Sequence, residues 1–291
     1  MIDKLSKLYK ELENEIRPLL QVEFQSELFS VNFKTAALSK SFEFNYQITS
    51  EKAEEVSLFT IPMLRGLCED IIILKFIDEF IKIDKEELLK QLTLKQQIKL
   101  LKSQENFFAE YKPEQIIFNF DDKDTKLQSH NSAFKRIMET NGFKNSNDLP
   151  KVIEMANKVG LANFYDFMYR ATSEFVHFSP HILLRMGWNK KSSNTFAYST
   201  KNFNKYYSFF SVFYGSYLFI KLTTLFENDF NFNSTIKEGF KGIENLLMSE
   251  FQYPELITLE EMNIDKAESL RLISQLRSIK RNIASREKSS S

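Results

Sequence analysis

Two of the chain's three histidines and one of its nine arginines fall within NFYDFMYRATSEFVHFSPH, residues 163–181. An imidazole can move a proton to or from a ribose 2′-hydroxyl or a leaving oxygen near neutral pH. A neighbouring guanidinium can bind the scissile phosphate and stabilise developing charge. Arg170 and His177 are seven residues apart, about two turns of a helix, so they point the same way. Ser173 lies between them and can orient either the phosphate or the imidazole. Arg170, Ser173 and His177 are therefore the candidate catalytic set for metal-free RNA cleavage. At about 100° per residue, Asp166, Arg170, Ser173, Glu174 and His177 form one narrow polar stripe. Phe167, Met168, Ala171, Phe175 and Phe178 flank it on one side, and Tyr165, Tyr169, Thr172 and Val176 on the other. A stripe so enclosed is expected to face a partner element, a cleft or another subunit.

Other readings compete for the same residues. IPMLRGLCEDIIILKFIDE, residues 61–79, carries Arg65 and Glu69 one turn apart among apolar residues. Buried charges need partners, and Asp166, Arg170 and Glu174 can supply them. The stripe would then be a structural brace between two core helices. Glu174, His177 and His181 have spacings that suit zinc or iron, but Pro180 is expected to break the helix before His181. No metal site is therefore assigned. His130 falls in a polar, loop-like passage and is expected to be solvated.

Composition bounds these choices. The 291 residues can bury a substantial core, and 39 acidic residues balance 39 basic ones. Any nucleic-acid surface must then be a local patch. The basic end LRLISQLRSIKRNIASREK offers one, with Arg277, Lys280 and Arg281 as candidate nucleic-acid contacts; bases at a helix C-terminus also offset its dipole. A single cysteine, Cys68, excludes an internal disulfide and suits a reducing cytoplasm. The charge-free run YYSFFSVFYGSYLFI, residues 206–220, is shorter than the roughly 20 residues of a membrane span. It reads as a central core helix, with no membrane partner expected. The absence of a Gly-rich phosphate loop or other cofactor motif leaves no cofactor implied.

The elements that must position these residues are helical, because 3.6-residue periodicity dominates and Gly and Pro are scarce. The expected fold is an all-α multi-helix bundle. Helices are expected over about 3–29 (bent near Pro18), from about 34, and over 50–83, 85–103, 132–140, 162–178, 203–226, 235–251 and 265–285. A further helix, capped by Asp148 and started at Pro150, should end at Gly160. ILLRMGW and NTFAYST, around a polar turn, suggest one small β-hairpin near residues 182–200. The expected organisation is an N-terminal helical region over 1–49, a core over 50–230 and C-terminal helices with a basic tail over 231–291.

RATSEFVH resembles the Arg-x(4–6)-His spacing of the HEPN superfamily, helical domains that include many metal-independent ribonucleases of toxin and antiviral systems. The resemblance implies phosphate binding by Arg170, proton transfer by His177, an RNA substrate, a homodimer and a partner protein in a defence or toxin system. Many active members carry a polar residue directly after the arginine, where this chain has Ala171. LRGLCE together with YDFMYRATSEFVH also resembles an uncharacterised bacterial family with an L-R-x-x-x-E helix and a later Y-x-x-x-Y-x-x-x-S-x-x-x-H helix. That closer resemblance spans roughly residues 50–185 and implies a helical fold without an assigned activity. A non-catalytic helical module that binds protein or nucleic acid is the alternative function.

Overall fold

The computed structural model describes residues 1–21, 28–50, 53–117, 122–144, 147–187, 197–250, 252–258 and 261. Among them the chain is entirely helical: α1 (Ile2–Leu19), α2 (Phe29–Ile48), α3 (Ser57–Phe80), α4 (Lys85–Tyr111), α5 (Lys123–Thr140), α6 (Val152–Lys158), α7 (Ala162–Val176), α8 (Pro180–Met186), α9 (Asn204–Leu225) and α10 (Ser234–Ser249). Short 3-10 turns precede α3 and follow α9. The contacts divide the chain into Met1–Phe251 and Gln252–Ser291. All ten helices belong to the first unit. The expected helix over 265–285, with Arg277, Lys280 and Arg281, lies outside the described residues.

α3 and α9 form the axis of the first unit. α3 packs against α2, α6, α7 and α9, and α9 also packs against α2 and α10. The charge-free run explains the position of α9: Val212, Phe213, Leu218 and Phe219 are fully buried, on more than one face of the helix. No described helix is long and apolar enough to cross a membrane. α1 and α10 pair on the outside, where Gly239 and Gly242 admit Leu12 and Leu8 of α1.

Polar groups tie α1, α2 and α9 together inside the core. The Tyr9 hydroxyl donates to Ser216 Oγ at 3.1 Å, and Asn45 Nδ2 donates to the carbonyls of Ser41 and Gly215 at 2.8 and 3.0 Å. Lys34 of α2 is almost fully buried, yet its ammonium meets Asp78 at 2.6 Å and Asp229 at 2.9 Å. It also lies 4.9 Å from the Phe226 ring. Satisfied in this way, the charge clamps α2, α3 and the turn after α9 in one register.

Several sequence expectations change. α1 stops at Leu19, one residue past Pro18, instead of bending and continuing to residue 29. The hairpin is not formed: residues 182–186 belong to α8, and no strand occurs among the described residues. Residues 188–196, its turn and part of its second run, are not described. Pro180 starts α8 at N1, and Ser179 Oγ accepts from the Ile182 amide at 3.4 Å. The Ser-Pro pair expected to stop one helix thus begins another. His130 is not in a loop. It lies on α5, with Nδ1 2.6 Å from Gln91 Oε1 of α4. Asp148 does not cap α6; it pairs with the buried ammonium of Lys95 at 2.9 Å.

Candidate functional site

α7 lies along the α3–α9 axis, and its two apolar flanks explain why. α7 packs against α3, and its Tyr165, Met168 and Thr172 are buried. Aromatic rings reach α9: Phe167 to Tyr214 at 5.2 Å, Phe164 to Tyr217 at 5.7 Å, and Phe175 edge-on to Tyr207 at 5.4 Å. These walls take up much of both flanks, although Tyr169, Val176 and Phe178 stay exposed, and the narrow polar stripe faces outward. Asp166, Arg170, Glu174 and His177 are exposed, and Ser173 is half-buried. The stripe does not brace α7 against Arg65 and Glu69.

Arg170 Nε donates to both carboxylate oxygens of Asp166, at 3.2 and 3.0 Å. The side chains are 69% and 55% exposed. Asp166 holds the Arg170 guanidinium above its usual pKa, through the hydrogen bond and then through its charge. This pair uses only Nε, so neither Nη group has a hydrogen-bond partner among the described residues. The helix ends at Val176, and His177 is its C-cap with extended backbone. Its amide still donates to the Ser173 carbonyl at 3.0 Å, which keeps His177 at the end of the stripe. Among the described residues its imidazole has no hydrogen-bond partner. Ser173 and Arg170 lie one turn and two turns behind it.

Glu174 and His181 meet across the Ser179–Pro180 junction, with Oε2 2.9 Å from Nδ1. Sequence reasoning placed His181 out of reach by treating Pro180 only as a breaker. The Ser-Pro helix start was the signal that α8 would carry His181 back beside α7. Among the described residues no group of three His, Cys, Asp or Glu is placed to hold a metal ion.

Arg65 and Glu69 do pair on α3, Nε to Oε1 at 2.8 Å, with side chains 30% and 25% exposed. Their neighbours on α7 are tyrosines. The Arg65 guanidinium lies 4.8 Å from the Tyr169 ring centroid. Its pKa is raised, first by the Glu69 hydrogen bond. The Tyr165 hydroxyl is also raised, first by burial and then by the charge of Glu69. Asp166 and Glu174 supply no hydrogen bond to Arg65, so the expected network of Arg65, Glu69, Asp166, Arg170 and Glu174 is replaced by three separate pairs: Arg65–Glu69, Arg170–Asp166 and Glu174–His181. Tyr169 was missed as a site residue because its place on the wheel read as apolar flank. One turn further along α3, Cys68 is buried and its thiol is pushed up to about 12, chiefly by desolvation. It is a core residue and not a nucleophile.

The described residues define an all-helical architecture in which α7 presents a polar face beside an arginine-bearing α3. Residues 60–195, which span α3 through α8, match a family of unknown function (DUF5677). This agrees with the resemblance to an uncharacterised helical family and leaves the HEPN link without support. No curated protein and no solved structure matches the chain.

Proposed function

We propose that the outer face of α7 is the phosphodiester-cleaving site of a metal-independent ribonuclease, HEPN-like in its use of Arg170 and His177. A toxin-type effector in bacterial phage defence is the matching biological role. The observation that carries this reading is exposure: among the described residues, the Nη groups of Arg170 and the imidazole of His177 have no hydrogen-bond partner, and both residues lie on one accessible strip. A buried brace would have consumed both. In the proposed reaction His177 takes the proton of the ribose 2′-hydroxyl as that oxygen attacks phosphorus. The bond from phosphorus to the 5′-oxygen breaks, and solvent protonates the leaving oxygen. The products are a 2′,3′-cyclic phosphate and a 5′-hydroxyl. Arg170 binds the non-bridging oxygens and stabilises the added charge, and Ser173 orients the phosphate.

A homodimer fits this proposal. Val176 and Phe178, on either side of His177 in sequence, and Leu184 of α8 are 53%, 84% and 68% exposed, apolar area suited to a second copy. The test is cleavage of single-stranded RNA in EDTA by the parent protein and by His177→Ala, with the mass of both measured by sedimentation. Cleavage that survives EDTA and disappears in His177→Ala supports the enzyme. RNA binding without cleavage by the parent would instead assign a non-catalytic binding module.

A further inference from the structure

Arg65 and Arg170 are built alike. Each lies on an exposed or half-exposed helix face, each gives Nε to a carboxylate one turn away on its own helix, and each leaves both Nη groups without a hydrogen-bond partner among the described residues. The carboxylates Glu69 and Asp166 hold the guanidinium planes and leave the outer donors unused. Arg65 is fixed further by Tyr169, whose ring its guanidinium covers at 4.8 Å. Tyr169 precedes Arg170 directly and is 38% exposed. Consecutive Cα atoms are about 3.8 Å apart, and consecutive helical side chains diverge by about 100°. The Arg65 seat and the Arg170 fork therefore occupy neighbouring strips of the α7 surface. One fork suits any oxyanion, whereas two neighbouring forks suit an anion that repeats, as a phosphodiester backbone does.

We propose that Arg65 is a second phosphate-binding residue, and that Arg65 and Arg170 together form a track on which a single-stranded RNA backbone crosses α7. The inference rests on reading the Arg170 face as an RNA site, and it adds a positioning contact outside the Arg170–Ser173–His177 set. Arg65 fixes the phosphate neighbouring the scissile one, which sets the register in which His177 meets a 2′-hydroxyl. Because Glu69 and Asp166 offset the two guanidinium charges, general attraction to polyanions is weak and the contacts are local.

The experiment measures anisotropy of a fluorescent 2′-O-methyl RNA oligonucleotide, which can bind but cannot be cleaved, against salt. Two phosphate contacts predict a log–log slope of about −1.4, falling to about −0.7 in either Arg65→Ala or Arg170→Ala. Arg65→Lys, which keeps the charge and loses the fork, should recover slope but not full affinity. Unchanged affinity and slope in a folded Arg65→Ala overturns the proposal. Should that variant fail to fold, phenylglyoxal modification of the parent decides instead: RNA should protect both Arg65 and Arg170, and an Arg65 modified equally fast with and without RNA overturns it. The two readings fail differently. Binding through both arginines without cleavage of ordinary RNA removes the catalytic assignment alone. Cleavage lost in His177→Ala, with binding indifferent to Arg65, removes the track alone. A parent protein that binds no RNA removes both.

Discussion

Arg170→Ala separates a functional arginine from a structural one, because the two roles predict different thermal stabilities. The substitution deletes one ion pair, whose members are 69% and 55% exposed and joined at 3.0 Å. Exposed pairs of this i,i+4 kind are screened by solvent and contribute little, and the higher helix propensity of alanine offsets part of the loss. For a chain of this size the melting temperature should move by no more than about 2 °C. An arginine removed from a buried brace would cost about 3–5 kcal/mol, or roughly 6–20 °C. Losing a donor to a transition-state phosphate should, in contrast, slow RNA cleavage by about 10²–10³-fold. The assay is a circular-dichroism melt run beside single-turnover cleavage on the same preparation. A fall of more than about 5 °C would show that Arg170 makes contacts its exposure does not account for. Intact cleavage with an intact fold would remove it from the site.

Further predictions concern the frame that holds α7. Lys34→Met should cost about 2–3 kcal/mol in urea unfolding, below the 3–5 of a sealed pair, because Asp78 and Asp229 keep 24% and 33% exposure. At Asp78, burial acts to raise the carboxyl, but hydrogen bonds from Lys34 and Lys85 outweigh it and hold the group below the ordinary range. Its contribution is present above about pH 4 and lost as pH falls through the depressed folded value. Urea midpoints should therefore drop on acidification below about pH 4, and drop less steeply in Asp78→Asn. A Cβ at Gly215 would stand 2.7 Å from Asn45 Oδ1 and 2.8 Å from Phe44 Cε1. Gly215→Ala should lower the melting temperature by the equivalent of about 1 kcal/mol, since overpacking of 1–3 kcal/mol exceeds the helix-propensity gain. An unchanged or raised value would show that Phe44 yields freely.

Helices with one dominant cue were legible in the sequence. The uncharged run gave α9 within a residue at each end, and Gly142 and Gly160 follow α5 and α6 with φ of +87° and +72°, as helix-ending glycines do. Ambiguity arose where one residue type has two positional meanings. Pro180 was read as a stop and is also a start. Ile182, Leu183 and Leu184 can alternate in a strand or turn in a helix, and only the Ser179 cap decides between them. The stripe on α7 shows a deeper limit. A helical wheel reports which residues share a face, but not which faces the neighbours occupy. Two apolar flanks suggested an enclosed stripe, whereas α3 and α9 pack against α7 and leave the polar strip open. The same ambiguity hid Tyr169, an apparent flank residue that carries Arg65.

The axis formed by α3 and α9 has a consequence for how this fold is inherited. The stretch shared with the family, residues 60–195, holds most of α3 and all of α7, but ends before α9 begins at Asn204. α3 packs against α9 and α2 as well as α6 and α7; cut free of α9 and α2, it would lose two of these walls. The matched stretch therefore holds α7 and most of α3 without the helices α2 and α9 that pack on α3. Expressed alone, residues 60–195 should melt without cooperativity and bind a hydrophobic dye, and a sharp two-state melt of that fragment would contradict this. A lineage could then vary α1, α2, α9 and α10 as interchangeable scaffolding only while some apolar helix kept the place of α9.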